Sequence, residues 1–269
     1  MKTNLQALDG SAKGEIELPK IFAAPYRPDL IQRVYVAVAT HSLQRQGRNP
    51  EAGERTSAES WGVGRGAARV ARVRGKGGQR SSQAAGVASV VGGRVPHPPK
   101  AETTVRKEVN QKERRLAIAS AIAATAQKEI VSLRGHKVDG VNTLPIVVVD
   151  DVEKLSRTKD LLNLLAALNL TADLERASGV RKARSGKAQM RGRGVRSGRG
   201  PLIVVSNDQG IGKAVSNLPG VEYVLARDLT ITHLAPGSHA GRLVIWSKSA
   251  LEALPKPLLE RTIPGIHPS

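Results

Sequence analysis

The sequence predicts an α/β protein with a single globular core, in which a parallel or mixed sheet is flanked by helices, and with a long extended basic internal loop. Short β-branched runs alternate with segments of helical periodicity, which is typical of such a sheet. Positive charge is concentrated in residues 44–100 and 178–200, and neither segment contains Leu, Ile, Phe or Tyr. We therefore expect one interrupted core domain, 1–43 with 101–269, a basic arm at 44–100 and a second basic loop at 178–200.

The first half of the core begins with two predicted strands. KTNLQAL and EIEL are separated by DGSAKG, in which Asp9-Gly10 is a hairpin signal. RPDLIQRVYVAVATHSLQ predicts a helix with Pro28 in its first turn. After the arm, VNQKERRLAIASAIAATAQKEIV predicts one long helix. Its expected apolar face consists of Leu116, Ile122, Ala126 and Ile130.

The second half repeats strand and helix signals. PIVVVDD predicts a buried parallel strand that ends at Asp150 and Asp151, and TKDLLNLLAALN predicts a helix with Thr158 as its N-cap. PLIVVSND predicts another strand and GIGKAVSNL a short helix. VEYVLA and RLVIW follow as strands, and SKSALEALP as the last helix. This alternation favours a parallel or mixed sheet.

The charge distribution indicates a polyanionic partner. The net charge is +19, and the two basic segments carry +16 of it. Residues 44–100 hold 11 Lys and Arg against three acids, and 178–200 hold eight against none. Such a field favours nucleic acid first and an anionic membrane surface second. The rest of the chain has the charge balance of an ordinary globular protein.

The two basic segments lack the side chains for a core of their own. They contain eleven and six glycines. Ordering a backbone costs about 1–2 kcal/mol per residue, which so few apolar groups cannot offset. We expect these segments to stay mobile or to gain their order from a partner.

Other classes of function are disfavoured by the composition. The chain has no Cys, its N-terminus has no signal-peptide core, and no run of 18 apolar residues occurs, which predicts a soluble cytosolic protein without membrane contact. The six histidines lack zinc-ligand spacing. VVVDD resembles an acidic metal site, but a helix cap at Asp151 is the favoured interpretation. We expect no metal, no cofactor and no enzymatic activity.

Three binding hypotheses remain at this point. NDQGIGKA resembles a phosphate-binding loop, but Asp208 and Ala214 replace residues that the P-loop requires. A nucleotide enzyme that uses this turn is therefore one alternative, although it departs from the P-loop pattern. A general chromatin-like protein or RNA chaperone is a second one. Six aromatics in 269 residues argue against base stacking as the main mode. The Gly- and Arg-rich composition of the two basic segments instead favours recognition of the shape of a folded RNA through its phosphates.

Four stretches resemble one family over essentially the full length. RTSAESWGVGRGAARVARVRGKG, GGRVPHPPKAE, VNQKERRLAIASAIAATA and DGSAKGEIELPKIFAAPYRPDLI are similar to the large-subunit ribosomal protein four family in its archaeal and eukaryotic form. The lack of an extension beyond Ser269 is more typical of archaeal members.

The resemblance implies a structural constituent of the large ribosomal subunit, located in the cytoplasm. Its core would lie on the outer face of the subunit, and its arm would thread through rRNA to the wall of the polypeptide exit tunnel. The implied partners are large-subunit rRNA and neighbouring ribosomal proteins, including protein twenty-two of the universal series at the tunnel constriction. No small-molecule substrate and no homo-oligomer are expected.

The resemblance also assigns positions in this chain. Trp61, Gly62, Gly64, Arg65 and Gly66 would lie at or near the arm tip. Arg69, Arg72, Arg74, Lys76 and Arg80 would line the arm against RNA. The predicted RNA-binding set also includes Arg45, Arg48, Arg55, Arg94 and Lys100 in the arm, and Arg181, Lys182, Arg184, Lys187, Arg191, Arg193, Arg196 and Arg199 in the second loop.

Overall fold

The computed structural model describes residues 1–75 and 77–255. The strands of this part, in chain order, are β1 (Lys2–Gln6), β2 (Ala12–Glu17), β3 (Ala58–Ser60), β4 (Ala71–Val73), β5 (Ile146–Val148), β6 (Lys182–Ala183), β7 (Val195–Arg196), β8 (Leu202–Val205), β9 (Glu222–Leu225) and β10 (Val244–Ser247). Its helices are α1 (Pro28–Thr40), α2 (Gln111–Thr125), α3 (Lys128–Leu133), α4 (Thr158–Ala167), α5 (Thr171–Gly179), α6 (Lys187–Met190), α7 (Ile211–Val215), α8 (Ile231–Leu234) and α9 (Lys248–Glu252).

The chain forms two compact units. The first comprises Met1–Thr40 and resumes at Glu108, so it contains the second basic loop, 178–200. The other unit is His41–Lys107 and contains the basic arm, 44–100. In this second unit His41 Nε2 lies 3.0 Å from the carbonyl oxygen of Lys107, so the two ends of the segment meet.

The first unit is built on a six-stranded sheet in the order β2, β1, β5, β10, β8, β9. Every neighbouring pair is parallel except β1 with β2, which form an antiparallel hairpin at one edge. The turn between them contains Gly10 at φ 77°, as the Asp9-Gly10 signal predicts. The predicted fold class, a mixed sheet flanked by helices, is confirmed.

Both faces of the sheet are apolar, which explains the continuous β-branched runs. Val147, Val204 and Trp246 point to one face, where they pack with the buried sides of α1, α2, α8 and α9. Their sequence neighbours point to the other face, against α3, α4 and α7. Trp246 is fully buried and meets the ring of Phe22 edge to face, with centroids 5.7 Å apart. Burial of each such large apolar side chain stabilises the folded state by about 1.5–3 kcal/mol.

The prediction of one long helix over 109–131 is wrong. The helix stops at Thr125 and α3 starts at Lys128, because Gln127 adopts extended backbone angles, φ −95° and ψ 108°. The Thr125 hydroxyl donates to the carbonyl of Ile122 at 2.6 Å, as buried Thr side chains do near helix bends. Of the apolar face predicted along this stretch, Ile122 lies in the core and the half-buried Ala126 and Ile130 pack against it. Residues 117–125 are buried all round, so burial in α2 is wider than one face.

Two predicted caps are also wrong. Thr158 is the first residue of α4, and the cap position is held by Arg157 without a side-chain bond. Asp151 pairs with Lys154 at 3.1 Å instead of capping its helical turn. Its neighbour Asp150 accepts a 2.7 Å hydrogen bond from the amide of Ser249 at the start of α9. This carboxylate therefore caps a helix about a hundred residues away, which no local pattern shows.

Candidate nucleic-acid interface

The arm holds a short antiparallel hairpin. β3 pairs with β4 so that Glu59 lies opposite Arg72. A third stretch, residues 82–85, bonds the other edge of β4, with the Val73 amide donating to Gln83 O at 2.9 Å and the Ala85 amide to Ala71 O at 2.9 Å. None of the described residues of 44–100 is buried. The segment therefore has no core of its own, and backbone hydrogen bonds hold its hairpin together.

The three acids of the arm are neutralised within it. Glu51 pairs with Arg55 at 3.2 Å, Glu54 with Arg94 at 3.8 Å, and Glu59 with Arg74. Surface pairs of this kind contribute about 0–1 kcal/mol, so each remains open to exchange with a phosphate. Among the described arm cations, six are exposed and make no ion pair: Arg45, Arg48, Arg65, Arg69, Arg80 and Lys100. Lys76, also predicted to bind RNA, lies outside the described residues.

Glycine has two different uses in the arm. Gly53 adopts φ 88°, and a Cβ there would come within 2.5 Å of the backbone of Gly93. Only glycine therefore allows the two backbone segments to approach this closely. Gly62, Gly64 and Gly66 adopt φ of 73°, 81° and 63°, but a Cβ on any of them would meet no described atom within 4 Å. The tip glycines are needed for conformation and leave a backbone surface that a partner can approach closely.

Trp61 and Arg72 contact each other across the hairpin. The Arg72 guanidinium lies 5.2 Å from the centroid of the Trp61 ring and donates to Ser82 O at 2.9 Å. Such a cation–π contact is worth about 0.5–1 kcal/mol at an exposed site. Arg72 thus fixes the indole at the base of the loop, while the Trp61 residue as a whole stays 44% exposed.

The second basic loop also forms a hairpin. β6 pairs with β7, the Arg184 amide donates to Gly194 O at 2.7 Å, and α6 lies within the loop. The only buried residues among 178–200 in the described structure are Gly198 and Gly200. Seven of its predicted RNA-binding cations are exposed and form no described ion pair: Arg181, Lys182, Arg184, Lys187, Arg191, Arg193 and Arg196. The eighth, Arg199, pairs with Glu222 of β9.

The NDQGIGKA turn does not offer a phosphate site. The Asp208 carboxylate accepts hydrogen bonds from the amides of Gly210, at 2.9 Å, and Gly212, at 3.3 Å, which are the donors a phosphate would need. The bond from Gly210, with smaller contributions from Gly212, Tyr223 and Lys213, lowers the pKa of Asp208. The residue that departs from the P-loop pattern therefore occupies the position of the ligand.

A buried carboxylate fills the carboxyl ends of the parallel strands. Glu153 Oε1 accepts from the Ser206 amide at 2.7 Å and from the hydroxyls of Ser247 at 2.8 Å and Ser249 at 2.9 Å. Its Oε2 accepts from the Asn207 amide at 3.3 Å. Open α/β sheets usually bind ligands at this edge. Here a protein side chain already bonds the available donors of β8 and β10, which argues against the nucleotide-enzyme hypothesis.

Two further properties of the described residues bear on function. No group of three or more His, Asp or Glu side chains among them is arranged to hold a metal ion. Within residues 1–75 and 77–255, none of the helices has the length and apolar character needed to span a membrane.

Sequence reasoning missed an ionic cluster on α5. Asp173 is fully buried, and its carboxylate lies 3.0 Å from His136 Nδ1 and 2.8 Å from Arg176 Nε. Burial raises the pKa of Asp173, but the bonds from His136 and Arg176 outweigh it and lower the pKa overall. Burial lowers the pKa of His136, so the neutral ring donates to Asp173. His136 lies 37 positions from Asp173 and 40 from Arg176 in the sequence, so no local pattern predicts that they meet.

Fold and site together define a basic α/β protein in which exposed cations without an ion pair are concentrated in the arm, 44–100, and the second loop, 178–200. Comparison with known proteins gives the family. The profile described as "Ribosomal protein L4/L1 family" matches residues 16–256. "Large ribosomal subunit protein uL4" of Methanosphaera stadtmanae is 47% identical over 94% of this chain and 96% of its own length. The proteins of the same name from Sulfurisphaera tokodaii and Methanococcus maripaludis are each 47% identical, over 95% and 94% of this chain and 94% and 98% of their own lengths.

The chain belongs to the ribosomal protein L4/L1 family. The resemblance stated from the sequence is thereby confirmed, and the relatives named above include archaeal proteins, as expected. Members of this family are structural ribosomal proteins, so the prediction that the chain is not an enzyme is also confirmed.

Proposed function

We propose that the chain is a structural constituent of the large ribosomal subunit in the cytoplasm and that it binds large-subunit rRNA through the arm, 44–100, and the second loop, 178–200. The relatives of similar length that carry the large-subunit name support this assignment. The core, 1–43 with 101–269, is the body that holds the two segments. The cations of the two segments neutralise RNA phosphates, and the two segments bind the RNA at separate positions.

One observation carries the proposal. The acids of the arm are all paired within it, whereas thirteen described cations of the two segments are exposed without an ion pair. Packing does not require those cations, because the only described residues that the two segments bury are glycines. Arginine predominates among them, and its planar fork reaches two phosphate oxygens at once. A folded RNA supplies phosphates at the density that such a surface needs.

The tip of the arm, residues 61–66, forms part of the wall of the polypeptide exit tunnel in this proposal. Its three left-handed glycines leave the backbone uncovered, and Trp61 presents an exposed ring held by Arg72. A neighbouring large-subunit protein contacts the tip at the tunnel constriction. The chain enters the subunit as one copy and does not form a homo-oligomer.

Competition between RNA and DNA tests whether binding is specific for folded rRNA. We expect a folded large-subunit rRNA fragment bound to the protein to resist displacement by bulk duplex DNA at equal phosphate concentration. A general basic protein would release the fragment readily, because its contacts read only phosphate density. Ready displacement by DNA would therefore contradict specific recognition of rRNA.

A charge-matched pair of variants locates the contact in the second loop. The quadruple variant Arg181→Gln, Arg184→Gln, Arg191→Gln and Arg193→Gln is expected to reduce the slope of log affinity against log salt by about 3, at about 0.7–0.9 per phosphate. The control removes four exposed cations of the first unit outside this loop, Lys13→Gln, Arg157→Gln, Lys159→Gln and Arg227→Gln. Equal reductions in the two variants would show that only net charge matters.

A further inference from the structure

A cavity of about 570 Å³ opens in the first unit. It lies among the ends of several elements: Tyr26 and Pro28 before and in α1, Leu133 and Arg134 at the end of α3, and Ser238 and His239 ahead of β10. Arg176 of α5 and Arg199 complete its cationic lining. No sequence motif indicates a role for Tyr26, Arg134 or Arg176.

The charges around this cavity do not balance. Arg134, Arg176 and Arg199 line it, and Arg242 joins them through Glu222, which bonds both Arg242 at 2.7 Å and Arg199. Only two carboxylates partner these four guanidinium groups in the described structure, Asp173 and Glu222. The cluster therefore holds two more positive than negative charges before any histidine is protonated.

Burial, together with the neighbouring positive charges, makes two arginines of this cluster less basic. Burial first, and then the charges of Arg242, Arg176 and Arg199, lower the pKa of Arg134 to about 10. Burial and the charge of Arg199 lower the pKa of Arg242 to about 9. Both groups remain protonated at neutral pH, so like charges are held together in the free protein. A bound anion would relieve that repulsion.

Arg134 is held in place but is not saturated. Its two terminal nitrogens donate to the backbone carbonyls of His239 and, at 2.9 Å, Pro236. An arginine has five N–H donors, so three of them lack a protein partner in residues 1–75 and 77–255. Arg176 uses Nε for Asp173 and Nη2 for Arg199 O, which leaves Nη1 without a described bond. Oriented guanidinium groups with spare donors suit a phosphate oxygen.

We propose that this cavity binds a backbone phosphate of RNA, with Arg134 as its principal ligand and Arg176 and Arg199 beside it. Tyr26 is exposed and also lines the cavity, which favours RNA over an acidic peptide, because a base can stack on its ring while the phosphate meets the arginines. The site rests on the proposed function and extends it from the two hairpins to the core of the protein.

The test compares Arg134→Gln with Arg227→Gln, an exposed arginine that does not line the cavity. In binding to large-subunit rRNA, Arg134→Gln is expected to lower the salt slope by about 0.7–0.9, and Arg134→Lys to restore most of it. Arg227→Gln should leave the slope unchanged. On addition of RNA, hydrogen exchange at residues 130–136 and 236–240 should slow in the unaltered protein and not in Arg134→Gln.

Several outcomes would overturn the site. The first is an unchanged salt slope in a folded Arg134→Gln protein. The second is that inorganic phosphate slows hydrogen exchange at 130–136 and 236–240 while RNA does not. The third is that a polyglutamate peptide competes with RNA for the cavity. If Arg134→Gln fails to fold, Tyr26→Leu replaces it, with an expected loss of rRNA affinity of about fivefold or more. Unchanged affinity in that variant would equally reject the site.

The same assay separates this inference from the proposed function. The quadruple second-loop variant and Arg134→Gln are measured side by side on one rRNA fragment. Loss of slope in the loop variant alone rejects the cavity site and retains the proposed function. Loss in Arg134→Gln alone retains the cavity site and rejects the role of the second loop.

Discussion

Replacing residues 61–80 by a short Gly-Ser linker is expected to lower the affinity for folded large-subunit rRNA about a hundredfold and to leave the unfolding of the core unchanged. The segment carries six Lys and Arg and no acid. At about 0.5 kcal/mol for each exposed contact, six contacts amount to about 3 kcal/mol. The salt slope should fall by about 4 to 5. The core should not respond, because no described residue of the segment is buried.

Filter binding across a salt series measures the affinity, and chemical denaturation measures the core. The control variant keeps the length of the segment and changes its six cations to Gln, at 65, 69, 72, 74, 76 and 80. If charge is the cause, the salt slope of its rRNA affinity should fall nearly as much as that of the linker variant. Unfolding of the core at lower denaturant in the linker variant would contradict the independence of core and arm.

The largest loss of stability is expected from Asp173→Asn. The fully buried carboxylate accepts from His136, from Arg176 and, at 3.1 Å, from the Lys137 amide. Removing its charge leaves the Arg176 cation in a cluster that already has a surplus of positive charge. Breaking a buried pair in this way costs about 3–5 kcal/mol. Urea denaturation followed by far-UV circular dichroism measures the free energy of unfolding. As the matched control, Asp160→Asn, an exposed acid on α4, should cost less than about 0.5 kcal/mol.

The same cluster should make stability depend on pH in a defined direction. Burial lowers the pKa of His136 in the folded state below its ordinary value of 6.5, so the unfolded chain binds the proton more readily. Stability is therefore present above about pH 6.5 and falls as the pH drops below it. The pKa of Asp173 is lowered below 3.8, so its contribution is lost only in more acidic solution. His136→Gln should lose the first of these two phases.

Measuring the free energy of unfolding from pH 8 to pH 4 checks the sign. The difference between the unaltered protein and His136→Gln should shrink as the pH falls from about 7 to 5. This difference isolates His136 from His233, whose pKa is also lowered, chiefly by burial. A difference that grows on acidification would mean that the His136 ring is charged in the folded state.

The sheet could be predicted from sequence because its strands are recognisable one at a time. PIVVVDD, PLIVVSND and RLVIW are β-branched on both faces, as central parallel strands require. The break at Gln127 could not be predicted, since the alanine-rich sequence around it favours helix throughout and tertiary packing redirects the chain. The distant cap from Asp150 to α9 likewise depends on the order of the strands.

The candidate interface could be located by counting charges, but its individual roles could not. Composition alone separates the two basic segments from a nearly neutral core. It cannot show that Arg74 and Arg199 are paired with acids or that Arg72 holds an indole. Those distinctions arise from the hairpin register and from contacts distant in sequence. The surplus of arginines around Arg134 depends on the tertiary fold for the same reason.

Hydrogen exchange of the full chain, with and without folded large-subunit rRNA, shows whether the two basic segments gain their order from RNA. Two-stranded hairpins that bury no side chain are marginal in water. Residues 44–100 and 178–200 should therefore exchange rapidly in the free protein, while the sheet strands β5, β8 and β10 are protected. On binding rRNA, both basic segments should become strongly protected. Strong protection of these segments in the absence of RNA, or none gained in its presence, would show that RNA does not order them.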